Sequence, residues 1–470
     1  MYAIIVIMSI HNNSPSSSIF ARHCLLRDGF HANVHVDIVD GRISDIQKAV
    51  KAAEADVQVD MLLPALSNLH SHTFQRGMAG MTEVRGPNPD SFWTWREVMY
   101  RFVSYLSPDD VEAIAAQAFM EMQEAGFAAV AEFHYLHNDQ SGQAYANPTE
   151  MSNRILAAAS DTGIGLTHLP VLYCFGGAGE KPLAGGQLRF GKTLDEFAAL
   201  FESLRAALQQ SNSADYNIGV APHSLRAVSP QIMVEAAKAF PDVPLHIHIA
   251  EQQQEVDEIL SWLKARPVEW LMNSMPVNDR WCLVHATHMS PVEINLVAAS
   301  GAVVGLCPIT EANLGDGIFS APEFLSAKGT FGIGTDSNVA ISACGELRML
   351  EYGQRLKNKA RNVMAIIEGS TGLQLYRKAL IGGAKALNRP SGEISVGLWA
   401  DLVALDTASD QLCALSPAQT IDGFIFSGDK DVITDLWSAG RHCVKQGQHI
   451  QRDTIAKRYR SVMTKLSAKL

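Results

Sequence analysis

Short apolar runs recur along most of the chain, separated by stretches of helical periodicity. The runs are Ala128 to Phe133, Ile164 to Tyr173, Tyr216 to Ala221, Pro244 to Ile249, Trp281 to Val284, Ala302 to Leu306 and Phe331 to Ile333. Each is short enough to be a strand buried on both faces. With the run that begins at Met61-Leu62-Leu63-Pro64 and leads into Leu69-His70-Ser71-His72, they make eight. Between them, Pro108 to Ala125, Leu194 to Gln209, Pro230 to Phe240, Gln252 to Met272 and Pro291 to Ala299 carry apolar residues at helical spacing. Strand alternating with helix predicts an α/β fold with a parallel sheet, and eight such units predict a closed (β/α)8 TIM-like barrel. A doubly wound open sheet is the competing architecture; it would gather polar residues at one crevice rather than around a ring.

The pattern changes at both ends. From Ile19 to Gln58 it is short-stranded, with Asp40-Gly41 as the turn of a hairpin between Val34–Ile38 and Ile43–Ile46. Gly392 to Asp406 and Gly440 to Ile450 are again β-rich, and Thr454 to Leu470 reads as a basic surface helix. The chain has 470 residues, roughly 200 more than a bare barrel needs, so the termini are expected to build a small β-sandwich-like domain together. The expected division is 1–62 and 389–470 for that domain and 63–388 for the barrel.

Composition narrows the partners. A formal net charge of -11 and the lack of a basic stripe disfavour nucleic acid and anionic membranes. A small molecule is the expected partner, and a homodimer is left open. The seven cysteines include no Cys-x-x-Cys pair, which fits the reducing cytoplasm. The apolar opening Met1 to Met8 lacks a basic flank and is too short to span a bilayer; translation from Met8 is as plausible as from Met1. Ser14 to Ser18 reads as a flexible lead-in.

The strand ends carry the candidate chemistry. In a (β/α)8 barrel they form the reactive face, and here they read His70/His72, Glu132/His134/Tyr135, Tyr173, His223, His248/Glu251, His285, Pro308 and Asp336. Histidines at i and i+2 on a strand point to the same side, so His70 and His72 can meet one ion. Alone, His-x-His is also ordinary polar filler; the later strand ends give it weight. Three neutral imidazoles and one carboxylate suit one zinc-like divalent ion, and a position left for water makes such a site catalytic. In His246-Ile247-His248 either ring can serve by alternation. Glu251, past the strand end, can move a proton between an attacking water and a departing nitrogen; its alternative reading is a solvated glutamate at a helix start.

His70-Ser71-His72, His248, His285 and Thr335-Asp336-Ser337, with Gly392-Glu393-Ile394 and Gly397 to Val403, resemble the amidohydrolase superfamily of metal-dependent barrels over most of the chain. More narrowly, Asn68 to Arg76, Glu132 to His137 and Glu311 to Gly317 resemble its formimidoylglutamate deiminase family, which acts in histidine degradation. Two positions depart from the pattern: Ala65 stands where glycine commonly follows Pro64, and Ile309 where threonine is usual after Cys307-Pro308. Neither carries reactive chemistry.

The resemblance implies His70, His72, His248 and Asp336 as metal ligands, selecting His248 over His246 because it precedes the catalytic glutamate by three residues. It further implies Glu251 as proton shuttle, His285 as the group that orients water and intermediate, and Asp336 as a second proton acceptor. His285 would become a further ligand if a second ion bound. The implied substrate, N-formimidoyl-L-glutamate, has two carboxylates at one end and an amidine-like group at the other. Arg96 and Arg226 are the expected carboxylate clamps, with His223 and Tyr135 beside them and Gln75 near the formimidoyl nitrogen. Deamination of a purine, pyrimidine or triazine ring is the alternative activity, favoured by an aromatic wall without two arginines. A noncatalytic assembly protein would show eroded ligands, and here the set is complete.

Overall fold

The computed structural model of the protein describes residues 16–51, 55–85, 87, 90–211 and 213–469. The reading of Met1 to Met8 lies outside the described residues, as do Ser14 and Pro15 of the expected lead-in; Ser17 and Ser18 already belong to a strand.

Eight parallel strands form the barrel. β1 (Leu66–Ser71) pairs with β2 (Phe127–His134), β2 with β3 (Gly165–Leu172), and β3 with both pieces of β4, Tyr216–Ile218 and Ala221–Pro222. β5 (Leu245–Ile249), β6 (Trp281–His285), β7 (Val303–Leu306) and β8 (Thr330–Ile333) follow in order. Parallel bridges Val220–Leu245 and Ser71–Asp336 close the ring. The expected fourth strand is interrupted at Gly219 and Val220, where neighbouring strands come so close that a Cβ at Gly219 would lie 2.6 Å from Leu169 Cδ2 and 2.7 Å from the Pro244 carbonyl oxygen. The helix expected over Gln252 to Met272 also breaks in two, Gln253–Leu263 and Pro267–Ser274. Lys264 turns left-handed with φ 58°, and Pro267 then starts the second helix, where its missing N–H costs nothing.

Strands from both ends of the chain form one eight-stranded sheet. Its order is Gln448–His449, Arg441–Lys445, Ile433–Ser438, Leu402–Leu405, Val57–Pro64, Ser17–Leu26, Gly29–Val39 and Arg42–Gln47. The hairpin at Asp40-Gly41 is present, with φ of 50° and 76° and Val39 opposite Arg42. Leu63 and Pro64, expected at the start of the barrel, pair with Val403 and Leu402 in this sheet; the barrel strand begins after Ala65, whose N–H donates to the Asp401 carbonyl.

Alternation along the sheet serves two cores at once. Cys24, Leu62, Leu402 and Ala404 pack into the sheet's own small core, while Leu25, Met61, Leu63, Val403 and Leu405 join the barrel's apolar mass. A strand covered on both faces reads as an unbroken apolar run, which is why Met61 to Pro64 resembles a barrel strand in sequence. Each leucine buried there contributes about 1.5–3 kcal/mol. The final helix, Arg452–Ser467, lies against the helix Pro108–Glu124, with ion pairs Arg452–Glu124, Arg458–Glu112 and Lys465–Asp110.

Candidate metal centre and active site

The first two histidines leave β1 at its C-terminal end, and β8 is held tightly beside them. A Cβ at Gly334 would lie 2.7 Å from the His70 carbonyl oxygen and 2.8 Å from its nitrogen, so only glycine lets β8 approach so closely. Asn68 Nδ2 donates to Thr335 Oγ1 at 2.7 Å, and Thr335 N donates back to Asn68 Oδ1 at 3.1 Å. Asn338 Nδ2 lies within hydrogen-bonding distance of Ser71 Oγ and the His72 and Asp336 carbonyls, at 3.0–3.1 Å. This lattice holds Asp336 at a φ of 43°, a conformation that a non-glycine residue adopts only when its surroundings enforce it.

Three imidazoles and one carboxylate converge. The Nε2 atoms of His70, His72 and His248 stand 3.0–3.3 Å apart, and Asp336 Oδ1 is 3.4 Å and 3.2 Å from those of His70 and His72. His72 Nδ1 donates to the Phe133 carbonyl at 2.8 Å and His248 Nδ1 to the His223 carbonyl at 3.1 Å. Those bonds leave both Nε2 atoms as bare lone pairs aimed at one point. An ion with bonds of about 2.0–2.1 Å in tetrahedral geometry sets its ligand atoms roughly 3.3 Å apart, so the donor set fits a zinc-sized cation. Burial pushes the His70 pKa down to about 3. Burial would raise Asp336, but His70 and His72 hold it well below the usual carboxylate range.

Glu251 and His285 flank this cluster. Glu251 Oε1 lies 3.7 Å from His285 Nε2, and Oε2 lies 3.4 Å from Arg226 Nη2. Burial raises the Glu251 pKa, while His285 and Arg226 pull it down. His285 is buried, which alone would keep it neutral, yet Glu251, Glu311 and Asp336 around it raise its pKa to about 10. Its Nδ1 is 3.3 Å from Glu311 Oε1, which also accepts from Cys307 N at 2.9 Å. The backbone of His285 is left-handed, with φ 67°.

Beside the cluster opens a cavity of about 270 Å³. Of the residues singled out in the sequence, His72, Gln75, Arg96, Tyr135, His223, Arg226, His248, Glu251 and Asp336 line it. His70 and His285 are fully buried behind them. His246, the rejected alternative, points away: its Nε2 donates to the Ala386 carbonyl at 2.8 Å. Gln75 Nε2 donates to Tyr135 Oη at 2.7 Å, leaving Gln75 Oε1 without a partner. Arg96 stacks over Trp93 and Tyr100, 4.3 Å and 5.5 Å from the ring centres. Arg226 is drawn to Glu251 on one side, while its buried Nε has no partner. His223 is kept neutral by burial and by Arg226 and Arg96 nearby, and its Nδ1 meets Ser224 Oγ at 3.0 Å.

Sequence reasoning missed several participants. Glu311 carried a signal only as part of a longer string. Asn68 and Asn338 look like turn residues until strand closure puts them together. Lys181 also lines the cavity, reached through a loop after β3 with no periodicity. The aromatic wall of Phe92, Trp93, Tyr100, Tyr173 and Phe190 is present, but so are both arginines.

A closed parallel barrel with a histidine and aspartate metal cluster at its strand ends defines a metal-dependent hydrolase. The amidohydrolase family pattern matches residues 61–443, and the chain belongs to that family. It is 47% identical to the formimidoylglutamate deiminase of Pseudomonas aeruginosa over 453 residues, covering 96% of this chain and 99% of that one. An 8-oxoguanine deaminase of the same organism is 27% identical, covering 87% of this chain and 86% of its own. Among solved structures, an amidohydrolase from Brucella melitensis superposes with a TM-score of 0.91 at 45% identity, over 96% of this chain and 99% of that one. A zinc-bound adenosine deaminase from Xanthomonas campestris shares the fold, with a TM-score of 0.80 at 22% identity, over 96% and 98% of the two chains.

Proposed function

We propose that the protein hydrolyses N-formimidoyl-L-glutamate to N-formyl-L-glutamate and ammonia, with zinc as its ion and the reducing cytoplasm as its setting. The observation that carries this reading is the charged lining of the cavity. Glu251 and Asp336, beside the histidine cluster, line it, and so do Arg96, Arg226 and Lys181. An amidinium finds carboxylates there, and carboxylates find cationic side chains. The similarity to the Pseudomonas aeruginosa enzyme along nearly the whole chain supports the same substrate.

A divalent ion held by His70, His72, His248 and Asp336 would supply a water that ionises near neutral pH. Glu251 takes the proton that leaves that water as its oxygen bonds to the formimidoyl carbon. The same carboxyl then delivers the proton to the nitrogen, so that the C–N bond breaks with ammonia departing and the formyl oxygen remaining. Asp336 accepts the second proton of the water as the carbonyl forms. His285, whose pKa its three carboxylate neighbours raise, donates to the oxygen as negative charge develops there. Gln75 and Tyr135 bracket the amidine, and the arginines fix the glutamate end.

The test is ammonia release from formimidoyl amino acids and from nucleobases. Turnover of formimidoylglutamate above the rest supports the proposal; strong activity on a nucleobase with none on formimidoylglutamate overturns it.

A further inference from the structure

Two of the clustered histidines take their orientation from the main chain: His72 Nδ1 donates to the Phe133 carbonyl and His248 Nδ1 to the His223 carbonyl. His285 is held differently. Its strand ends in two left-handed residues, His285 and Ala286, with φ of 67° and 48°, so strand alternation no longer dictates where the ring points. Its Nδ1 stands 3.3 Å from a side chain, at Glu311 Oε1, while Nε2 has no hydrogen-bond partner among the described residues. That free nitrogen faces Glu251 Oε1 at 3.7 Å and Asp336 Oδ2 at 3.9 Å. We propose that Glu311 is a positioning residue, which accepts the Nδ1–H of His285 and thereby keeps Nε2 turned to the oxygen of the reacting centre.

The local structure fixes Glu311 at both ends. Its backbone N–H donates to the Cys307 carbonyl at 2.9 Å, and its Oε1 accepts from the Cys307 N–H at 2.9 Å, so the first turn of the helix Pro308–Leu314 sets where the carboxylate lies. The N–H groups of Gly315 and Asp316 both close on the Glu311 carbonyl. Glu311 is buried, and it is Leu314, one turn on, that lines the cavity. Glu311 therefore reaches the reacting atoms through His285. The torsion that turns an imidazole about its own axis is broad, and a partner on one nitrogen decides the direction and tautomer of the other. A carboxylate adds what a main-chain carbonyl lacks, because its negative charge supports the ring as Nε2–H donates to an oxygen gaining charge. The competing role is a purely local one, in which Glu311 only closes the first turn of its helix.

This inference rests on the role given to His285 in the proposed reaction. The test is a cycle of four holoenzymes, wild type, Glu311→Ala, His285→Asn and the double variant, each with its metal content measured. All are assayed on whichever compound of the ammonia-release panel turns over fastest. Glu311→Ala should lower kcat by about 10- to 100-fold, the range over which groups that orient a histidine at a metal site act, with KM and metal content unchanged. In the His285→Asn background the same substitution should cost nothing further, because residues that act as one unit are not additive. Glu311→Gln keeps an acceptor for Nδ1 and for the Cys307 N–H and should recover part of the loss; it also carries the cycle if Glu311→Ala does not fold. A wild-type rate in Glu311→Ala, a loss that falls on KM or on metal content, or a loss that multiplies undiminished onto that of His285→Asn overturns the proposal. A wild-type rate in His285→Asn refutes the part given to His285 and this inference with it. Turnover of a nucleobase alone refutes the substrate reading and leaves the cycle to decide the role of Glu311.

Discussion

Replacing Glu251 by glutamine keeps the shape of the side chain and removes its titrating proton. The expected outcome is a kcat lower by at least about 100-fold, the modest end of general acid–base contributions, with metal content unchanged by elemental analysis. Near-normal turnover in the metal-replete variant would move the proton shuttle to another group. Arg226 is a subtler case, because its Nη2 contacts Glu251 as well as facing the cavity. Arg226→Met should lower kcat/KM for formimidoylglutamate by about 10- to 150-fold, corresponding to a charged hydrogen bond of roughly 1.5–3 kcal/mol. It should also shift the pH profile. Arg226 holds the Glu251 pKa down, so its removal raises that pKa. A base that must be ionised then reaches full activity only at higher pH, and the acid limb of kcat/KM moves upward. Arg96, stacked on Trp93 and without that contact, should show the affinity loss alone when changed to methionine. Equal losses for Arg96→Met on substrates with and without carboxylates would assign it to the fold instead.

At the scale of elements, the closure of β8 against β1 is the most sensitive joint. Gly334→Ala places a methyl group against the His70 backbone, and overpacking of this kind costs about 1–3 kcal/mol. The thermal midpoint should fall, and metal should be retained less tightly, because the same shift misplaces His70 and Asp336. Unchanged metal affinity would mean that the strands tolerate separation. The candidate metal cluster was legible in the sequence because strand periodicity and strand-end position specify where a side chain points, with the resemblance choosing His248 over His246; His70, His72, His248 and Asp336 meet in a group that could hold an ion. The supporting lattice was not. Asn68, Thr335 and Asn338 act through pairing across the ring, and no local pattern announces a contact between the first and eighth strands. The Gln252 to Met272 helix misled for the opposite reason: its apolar spacing continues through the break, while Lys264 and Pro267 turn the backbone. Arg96, on the helix Phe92–Val103, and Lys181, on a loop, belong to segments inserted after strand ends, and the strand periodicity of the barrel does not specify where those segments lie.

Across the whole molecule, buried ion pairs join barrel to terminal sheet. Asp215, just before β4, meets Arg389 and Arg441, and Arg389 also binds Asp401. Burial would raise the Asp215 pKa, but Arg441 and Arg389 lower it. A carboxyl depressed in the folded state stabilises above its unfolded pKa, and that contribution is lost as pH falls through the folded value. Asp215→Asn should therefore cost about 3–5 kcal/mol at neutral pH, the usual effect of stranding a buried partner. The difference from wild type should shrink in acid below about pH 4. Denaturant unfolding at both pH values checks this, and a constant difference would assign the loss to packing. The sheet these pairs anchor has a consequence for how the protein is made. Val57–Pro64 finds its neighbour Leu402–Leu405 only after the entire barrel has been synthesised. Until then one edge of an apolar strand waits unpaired, exposed to chaperones and to other nascent chains. Its other edge is covered by Ser17–Leu26, so this strand bridges a neighbour made early and one made late, and slow docking of the late one would favour aggregation during synthesis.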